Sequence, residues 1–229
     1  MLPKTLAFLF DVDNTLLDND HIVADLMRYL EREIGPERQQ RYWMYFEQLR
    51  SELGYADYLG ALQRYRSEYP RDSHILAVSQ HLIDYPFANR LFPNSLDVVD
   101  HARRFGEPVI VSDGDVVFQP LKIRRSGLME AFDCRVQIYV HKEHELDDIA
   151  ERYPADHYVF IDDKVRILAN VKDTWNSRVT TVFPRQGHYA MDEKEVVKYQ
   201  PPDLTIEHIG ALLDYDLSTL ISAASSSTG

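Results

Sequence analysis

The sequence predicts an α/β protein: a doubly wound parallel sheet with a small α-helical domain inserted into it. Three observations carry this reading. Short apolar runs alternate with segments of helical periodicity, one connection between runs is far longer than a crossover needs, and acidic residues recur directly after the runs.

The first run, residues 5–10, is continuously apolar, as a strand buried on both faces should be. Residues 18–91 then read as helices throughout. Ile22, Val23, Leu26, Met27 and Leu30 form one apolar stripe, and Tyr42, Tyr45, Phe46 and Leu49 form another. Breaks at Gly35-Pro36, Gly54, Pro70 and Pro86 divide the segment into four or so helices, with Asp72 or Ser73 placed to cap the last. The second run, residues 108–112, begins about 95 residues after Phe10, whereas a crossover between parallel strands takes about a dozen. Residues 18–91 are therefore an insertion, and the core is discontinuous, residues 1–17 and 92–229. Within that core, Leu96, Val99 and Ala102 mark a helix before the second strand. Runs at 135–140, 157–161 and 178–183, and a weaker one at 203–206, supply the remaining strands, with Leu146, Ile149 and Ala150 on a helix between them. The Ser-rich end, 222–229, reads as a frayed tail.

The chain has 229 residues, 37 acidic against 25 basic, for a net charge of -12 and a pI near 5.1. That field opposes a nucleic-acid backbone, so nucleic acid is not expected as a partner. No apolar stretch approaches the roughly 18 to 20 residues that span a bilayer, so no membrane association is expected either. Lys4 precedes only a brief apolar run that turns acidic at Asp11, unlike a secretion signal. The single cysteine, Cys134, cannot form an internal disulfide, which suits a reducing, cytoplasmic compartment; it is expected to be a small core residue.

In a parallel sheet ligands bind beyond the carboxyl ends of the strands, so the residues that follow each strand carry the functional reading. They are Asp11, Asp13 and Thr15 after the first, Ser112, Asp113 and Gly114 after the second, Lys142 after the third, and Asp162, Asp163 and Lys164 after the fourth. The stretch DVDNTLL resembles motif I of the haloacid dehalogenase-like hydrolase superfamily, a strand followed by DxDxT. Ser112 is similar to motif II, Lys142 to motif III and the Asp162-Asp163 pair to motif IV, while LFPNSLDVVDHARRFG resembles the segment that re-enters the core from the cap. The likeness runs from about residue 6 to about residue 213, and four motifs at successive strand ends make it specific. It implies a Rossmann-like core with a helical cap and Mg2+-dependent chemistry.

The residue types give the same roles. A carboxylate at a strand end can attack phosphorus, which makes Asp11 the nucleophile. Two residues on, Asp13 points to the same side of an extended chain, where it can protonate the leaving oxygen and then deprotonate water. An anionic carboxylate meeting an anionic phosphate costs about 4 kcal/mol per charge pair at 4 Å and an effective dielectric of about 20, so countercharge is needed. Lys142 offers one positive charge, and Asp11, Asp162 and Asp163 offer hard oxygen ligands for Mg2+. Ser112 and the amides around Asp113 and Gly114 are placed to hold phosphate oxygens, with Thr15 shaping the loop. Lys122 competes with Lys142, but it lies inside a helix-like segment beginning near Val117, whereas Lys142 directly follows a strand. Lys164 reads either as a salt-bridge partner or as a surface residue.

The resemblance further implies that the backbone carbonyl of Asp13 binds the metal, that Asp163 is the principal motif IV ligand, and that Asp162 binds directly or through water. It makes Asp18 and Asn19 the hinge into the cap. Two departures stand out. Asn14 replaces the commoner Gly of motif I, and no acidic residue follows Asp163 by four or five positions, a charge that Asp162 can replace.

The function expected is a Mg2+-dependent phosphatase acting on a small phosphomonoester through an aspartyl-phosphate on Asp11. A haloacid dehalogenase would need neither the metal nor Asp13. A phosphonate hydrolase would need a cap lysine, and residues 18–91 contain none. A sugar-phosphate mutase shares the core, and a non-catalytic binding protein could keep the fold. Tyr42, Trp43, Tyr45, Tyr55, Tyr58, Tyr65 and Tyr69 in the insert read first as bundle packing and second as a pocket lining. Oligomeric state is not legible.

Overall fold

A computed structural model describes residues 5–221; the tail expected at 222–229 lies outside the described residues. Six strands, β1 (Leu6–Phe10), β2 (Glu107–Asp113), β3 (Val136–Tyr139), β4 (His157–Ile161), β5 (Val179–Pro184) and β6 (Leu204–Ile206), form one sheet. All pairings are parallel, and the order is β3-β2-β1-β4-β5-β6. This is the doubly wound Rossmann-like arrangement, with the order reversing at β1 so that a crevice opens beyond the carboxyl ends of β1, β2 and β4. Each strand expected from the sequence is present within a residue or two.

Because side chains alternate along a strand, β1 serves two cores at once. Leu6, Phe8 and Phe10 pack on one face with Ile110, Val159 and Ile161, and Ala7 and Leu9 on the other with Val109, Val111 and Phe160. All five β1 residues are buried.

Four helices lie between β1 and β2: α1 (Asn19–Ile34), α2 (Pro36–Leu53), α3 (Tyr58–Glu68) and α4 (Ile75–Asp84). The glycines and prolines fall at their ends. Gly35 separates α1 from Pro36, at the first position of α2, where a missing N–H costs nothing, and Gly54 closes α2 in the left-handed conformation. Ile22, Leu26, Leu30 and Ile34 are the buried stripe of α1, while Met27 lies at its exposed edge. Neither Asp72 nor Ser73 is the residue preceding α4; that residue is His74, and Asp72 Oδ1 instead accepts from the His74 N–H at 2.9 Å, fixing the turn before the helix. The entry and exit segments run side by side, with Asp18 N–H donating to Arg90 O at 2.7 Å and Phe92 N–H to Leu16 O at 2.9 Å. Aromatic contacts continue the core into the insert, Phe118 meeting Tyr58 at 5.3 Å and Phe87 at 5.8 Å.

The rest of the chain alternates with the strands: α5 (Ser95–Arg103), α6 (Phe118–Arg125), α7 (Leu128–Ala131), α8 (Leu146–Arg152) and α9 (Val165–Trp175), then the short α10 (His188–Met191) and α11 (Glu193–Val196) after β5. Cys134 is exposed, contrary to the core position expected, because Asp133 and Cys134 both adopt positive φ in the turn that leads into β3. Among the described residues no helix is long and apolar enough to cross a membrane.

Candidate active site

The carboxyl ends of β1, β2 and β4, with the loop after β3, bring the candidate residues together. Asp11, Asp162 and Asp163 each present a carboxylate oxygen within 4.8 Å of the others, and all three residues are buried. The register makes this unavoidable: Phe10 pairs with Ile161, so the residues that follow, Asp11 and Asp162, leave adjacent strands side by side. Lys142, fully buried, arrives from the loop after β3 and donates to Asp11 Oδ1 at 2.5 Å, with Asp162 Oδ2 at 2.7 Å. Both oxygens of Asp163 are buried with no hydrogen-bond partner.

Burial dominates the electrostatics. It pushes the carboxyl of Asp163 well above the ordinary carboxylate range and that of Asp162 up to about 6, against the attraction of nearby lysines. Burial acts to lower the Lys142 ammonium, but Asp11 and Asp162 beside it reverse this and hold it well above the usual lysine value. Asp113 is likewise raised by burial. Its Oδ1 accepts from the Lys142 N–H at 2.8 Å, so this side chain seats the lysine loop.

Thr15 Oγ1 accepts from the Asp163 N–H at 3.1 Å and lies 3.5 Å from Asp11 Oδ2, linking the loop after β1 to the end of β4. Asn14 takes φ +59°, the left-handed geometry that Gly commonly supplies here, and its Oδ1 accepts from the N–H groups of Asn19 and Asp20 at the start of α1. The Gly114 N–H donates to Tyr139 O at 3.0 Å, so this amide closes the β2–β3 edge and is not available to a phosphate oxygen as expected. Ser112 is fully buried, and its Oγ accepts from Gln119 Nε2 at 2.9 Å.

Two lysines thus reach the site, not one in competition with the other. Lys142 sits on Asp11, while Lys122, from α6, donates to both oxygens of Asp13 at 2.6 and 2.8 Å. Lys164 is partly buried, with its ammonium 5.1 Å from the Tyr189 ring centre and its pKa held up by Asp163 against burial. The sequence reading also missed Gln119 and Gln186. Gln186 holds the β1 loop from below, donating to Asn14 O and Thr15 O at 3.2 and 2.7 Å.

A cleft of about 830 Å³ opens over Asp13, Asp113 and Lys164 and is roofed by the helical insert. Trp43, Phe46, Tyr55 and Tyr58 face it from the insert, and His188 and Tyr189 from the segment after β5. The aromatic stripe therefore divides. Tyr42 and Tyr65 are packing residues, and Tyr58 serves both ends, buried yet lining the cleft.

A parallel α/β core that gathers three buried carboxylates and a lysine beyond the carboxyl ends of its strands defines an acidic site able to hold a cation. A family profile for haloacid dehalogenase-like hydrolases matches residues 5–188, and the chain belongs to that family. A solved haloacid dehalogenase-like hydrolase from Burkholderia xenovorans LB400 is 57% identical, with 95% of this chain and 99% of that one covered at a TM-score of 0.89. The HAD-hydrolase YfnB from Bacillus subtilis bound to magnesium has 16% identity, 92% and 98% coverage and a TM-score of 0.60. An L-2-haloacid dehalogenase from Xanthobacter autotrophicus has 16% identity, 90% and 96% coverage and a TM-score of 0.59; these last two share the fold. No curated protein matches the sequence.

Proposed function

We propose that this hydrolase is a Mg2+-dependent phosphatase that cleaves a small phosphomonoester through an aspartyl-phosphate on Asp11. The observation that carries the proposal is the state of Asp163. A buried carboxylate with two unpartnered oxygens, beside two further carboxylates, is costly unless a cation satisfies it. Three hard oxygen donors suit Mg2+, and Asp11, Asp162, Asp163 and the Asp13 carbonyl would hold it. Bound there, the ion would neutralise phosphate charge and polarise a P–O bond.

The chain's own groups supply the rest. A carboxylate oxygen of Asp11 forms a bond to phosphorus as the bond to the leaving oxygen breaks, and Asp13 donates a proton to that oxygen. Water then attacks the acyl phosphate while Asp13 takes up its proton, which frees phosphate and returns Asp11 to its starting state. Lys142 orients Asp11 and supplies positive charge, and Ser112 is placed to hold a phosphate oxygen. Residues 18–91 act as a cap that excludes water and contacts the organic part of the ester. The lone cysteine and the acidic composition support a cytoplasmic enzyme with no nucleic-acid partner.

A screen of phosphomonoesters, with and without chelator, tests the proposal. Phosphate release that requires Mg2+ and disappears in Asp11→Asn supports it. No release from any ester, or halide release from 2-haloacids without metal, removes it.

A further inference from the structure

We propose that Lys122 is a positioning residue for Asp13, locking the proton-transfer carboxylate in place and tying it to the start of the helical insert. The inference rests on the phosphatase reading and assigns a function to a residue that reading leaves unused.

Lys122 is only 1% exposed although it lies on a helix. An ammonium buried this deeply is not needed for packing, since a methionine of similar length fills the same space without desolvating a charge. The ammonium has three protons, and the structure offers three acceptors: Asp13 Oδ1 at 2.6 Å, Asp13 Oδ2 at 2.8 Å and Asn19 Oδ1 at 3.3 Å. Gln119, one turn earlier on α6, adds a weaker contact from Nε2 to Asp13 Oδ2 at 3.3 Å and a firmer one to Ser112 Oγ at 2.9 Å. The Asp13 side chain is 26% exposed and lines the cleft, so it is anchored on its inner side and open to a ligand on its outer side.

One helix therefore connects the residue placed to hold phosphate, the residue placed to move the proton and the first residue of α1. A carboxylate on a loop samples several rotamers, and proton transfer demands one of them. Gripping both oxygens removes that freedom before substrate arrives. Asn19 makes the grip sensitive to the insert, because any movement of the start of α1 changes the third contact.

The test follows from the chemistry of the leaving group. In the transfer step the Asp11–phosphorus bond forms, the phosphorus–oxygen bond to the alcohol breaks, and a proton that Asp13 has taken up from solvent on its cleft-facing side passes to the departing oxygen, leaving the carboxylate that Lys122 grips. A p-nitrophenolate leaves without that proton, whereas an alkoxide does not. The ratio kcat/KM covers substrate binding and this step but not turnover of the aspartyl-phosphate, which comes later. A series of esters from p-nitrophenyl phosphate to simple alkyl phosphates is measured with the parent, Lys122→Met and Lys122→Arg.

In Lys122→Met, kcat/KM for the alkyl esters is expected to fall by about 100-fold or more, the usual scale of a positioned proton donor, and that for p-nitrophenyl phosphate by less than about 5-fold. Lys122→Arg, which keeps the charge, should recover part of the alkyl-ester rate. If Lys122→Met does not fold, judged by a cooperative melt, Lys122→Gln carries the same comparison. A uniform fall across the series, or none, overturns the positioning role while leaving the phosphatase reading intact. A parent inactive on every ester overturns both.

Discussion

Replacing Asp163 by asparagine should make the metal-free protein more stable and abolish its response to Mg2+. The carboxylates of Asp11, Asp162 and Asp163 lie within 4.8 Å of one another, so each like-charged pair repels by at least about 3.5 kcal/mol at an effective dielectric of about 20. Lys142 compensates Asp11 and Asp162 directly, at 2.5 and 2.7 Å, but makes no ion pair with Asp163. Asp163 has the charge of Lys164 nearby but no ion pair with it, so it is the least compensated member, and removing its charge should recover about 1–3 kcal/mol, or roughly 2–8 °C in Tm for a chain of this size. The parent has another route to relief: Mg2+ at 100 times its Kd would add about 2.7 kcal/mol. Thermal melts of both proteins in chelator and in Mg2+ check this. A variant less stable than the parent in chelator, or one that keeps the parent's Mg2+ shift, would refute the reasoning. The pH dependence has a defined sign. With Asp162 raised to about 6 and Asp163 above the ordinary range, the metal-free native state binds more protons than the unfolded chain. Its stability should fall as pH rises from about 4 to about 6, and Mg2+ should suppress that fall.

Three further outcomes are expected. Burial acts to raise the carboxyl of Asp72, but the Tyr65 hydroxyl, His74 and Arg38 overcome it and hold it at about 2, so its stabilisation is complete above about pH 4 and lost as pH falls toward 2. Asp72→Asn should cost about 1 kcal/mol in urea unfolding at pH 7, a figure reduced for solvent around Arg38, with the difference from the parent vanishing near pH 2. Gly187 has φ +78°, and an added Cβ would lie 2.5 Å from Asn14 Cβ, so Gly187→Ala should destabilise by about 1–3 kcal/mol; a loss below about 0.5 kcal/mol would contradict the packing described. Trp43 lines the cleft and stacks on Phe46 at 4.6 Å, so Trp43→Ala should raise KM by about 10-fold with little change in kcat, and an unchanged KM would place the substrate elsewhere.

The fold was legible because the central strands β1, β4 and β5 are short, continuously buried runs, and because Gly or Pro marks several of the breaks between helices of the insert. The carboxylate cluster was legible for a related reason: Asp11, Asp162 and Asp163 follow strands directly, and a parallel sheet brings the carboxyl ends of its strands together. Lys122 was legible only as a competitor of Lys142, because it lies inside a helix-like segment and its partner is an aspartate 109 positions away. Gln186 was invisible for the same reason, since its partners Asn14 and Thr15 are more than 170 positions distant. The engagement of the Gly114 amide with Tyr139 depends on how the β2–β3 edge ends, which residue types do not specify. Cys134 was misplaced because a lone cysteine reads first as a small core residue, whereas the turn into β3 places it outside.

The central claim is that Asp11 carries the phosphoryl group. Acid quenching during turnover of p-nitrophenyl phosphate with Mg2+, followed by peptide mass analysis, tests it most directly. The account predicts a burst of p-nitrophenolate and a phosphoryl adduct on Asp11 that is absent from Asp11→Asn. A burst with the adduct on another residue, or turnover at the full parental rate in Asp11→Asn, would contradict it.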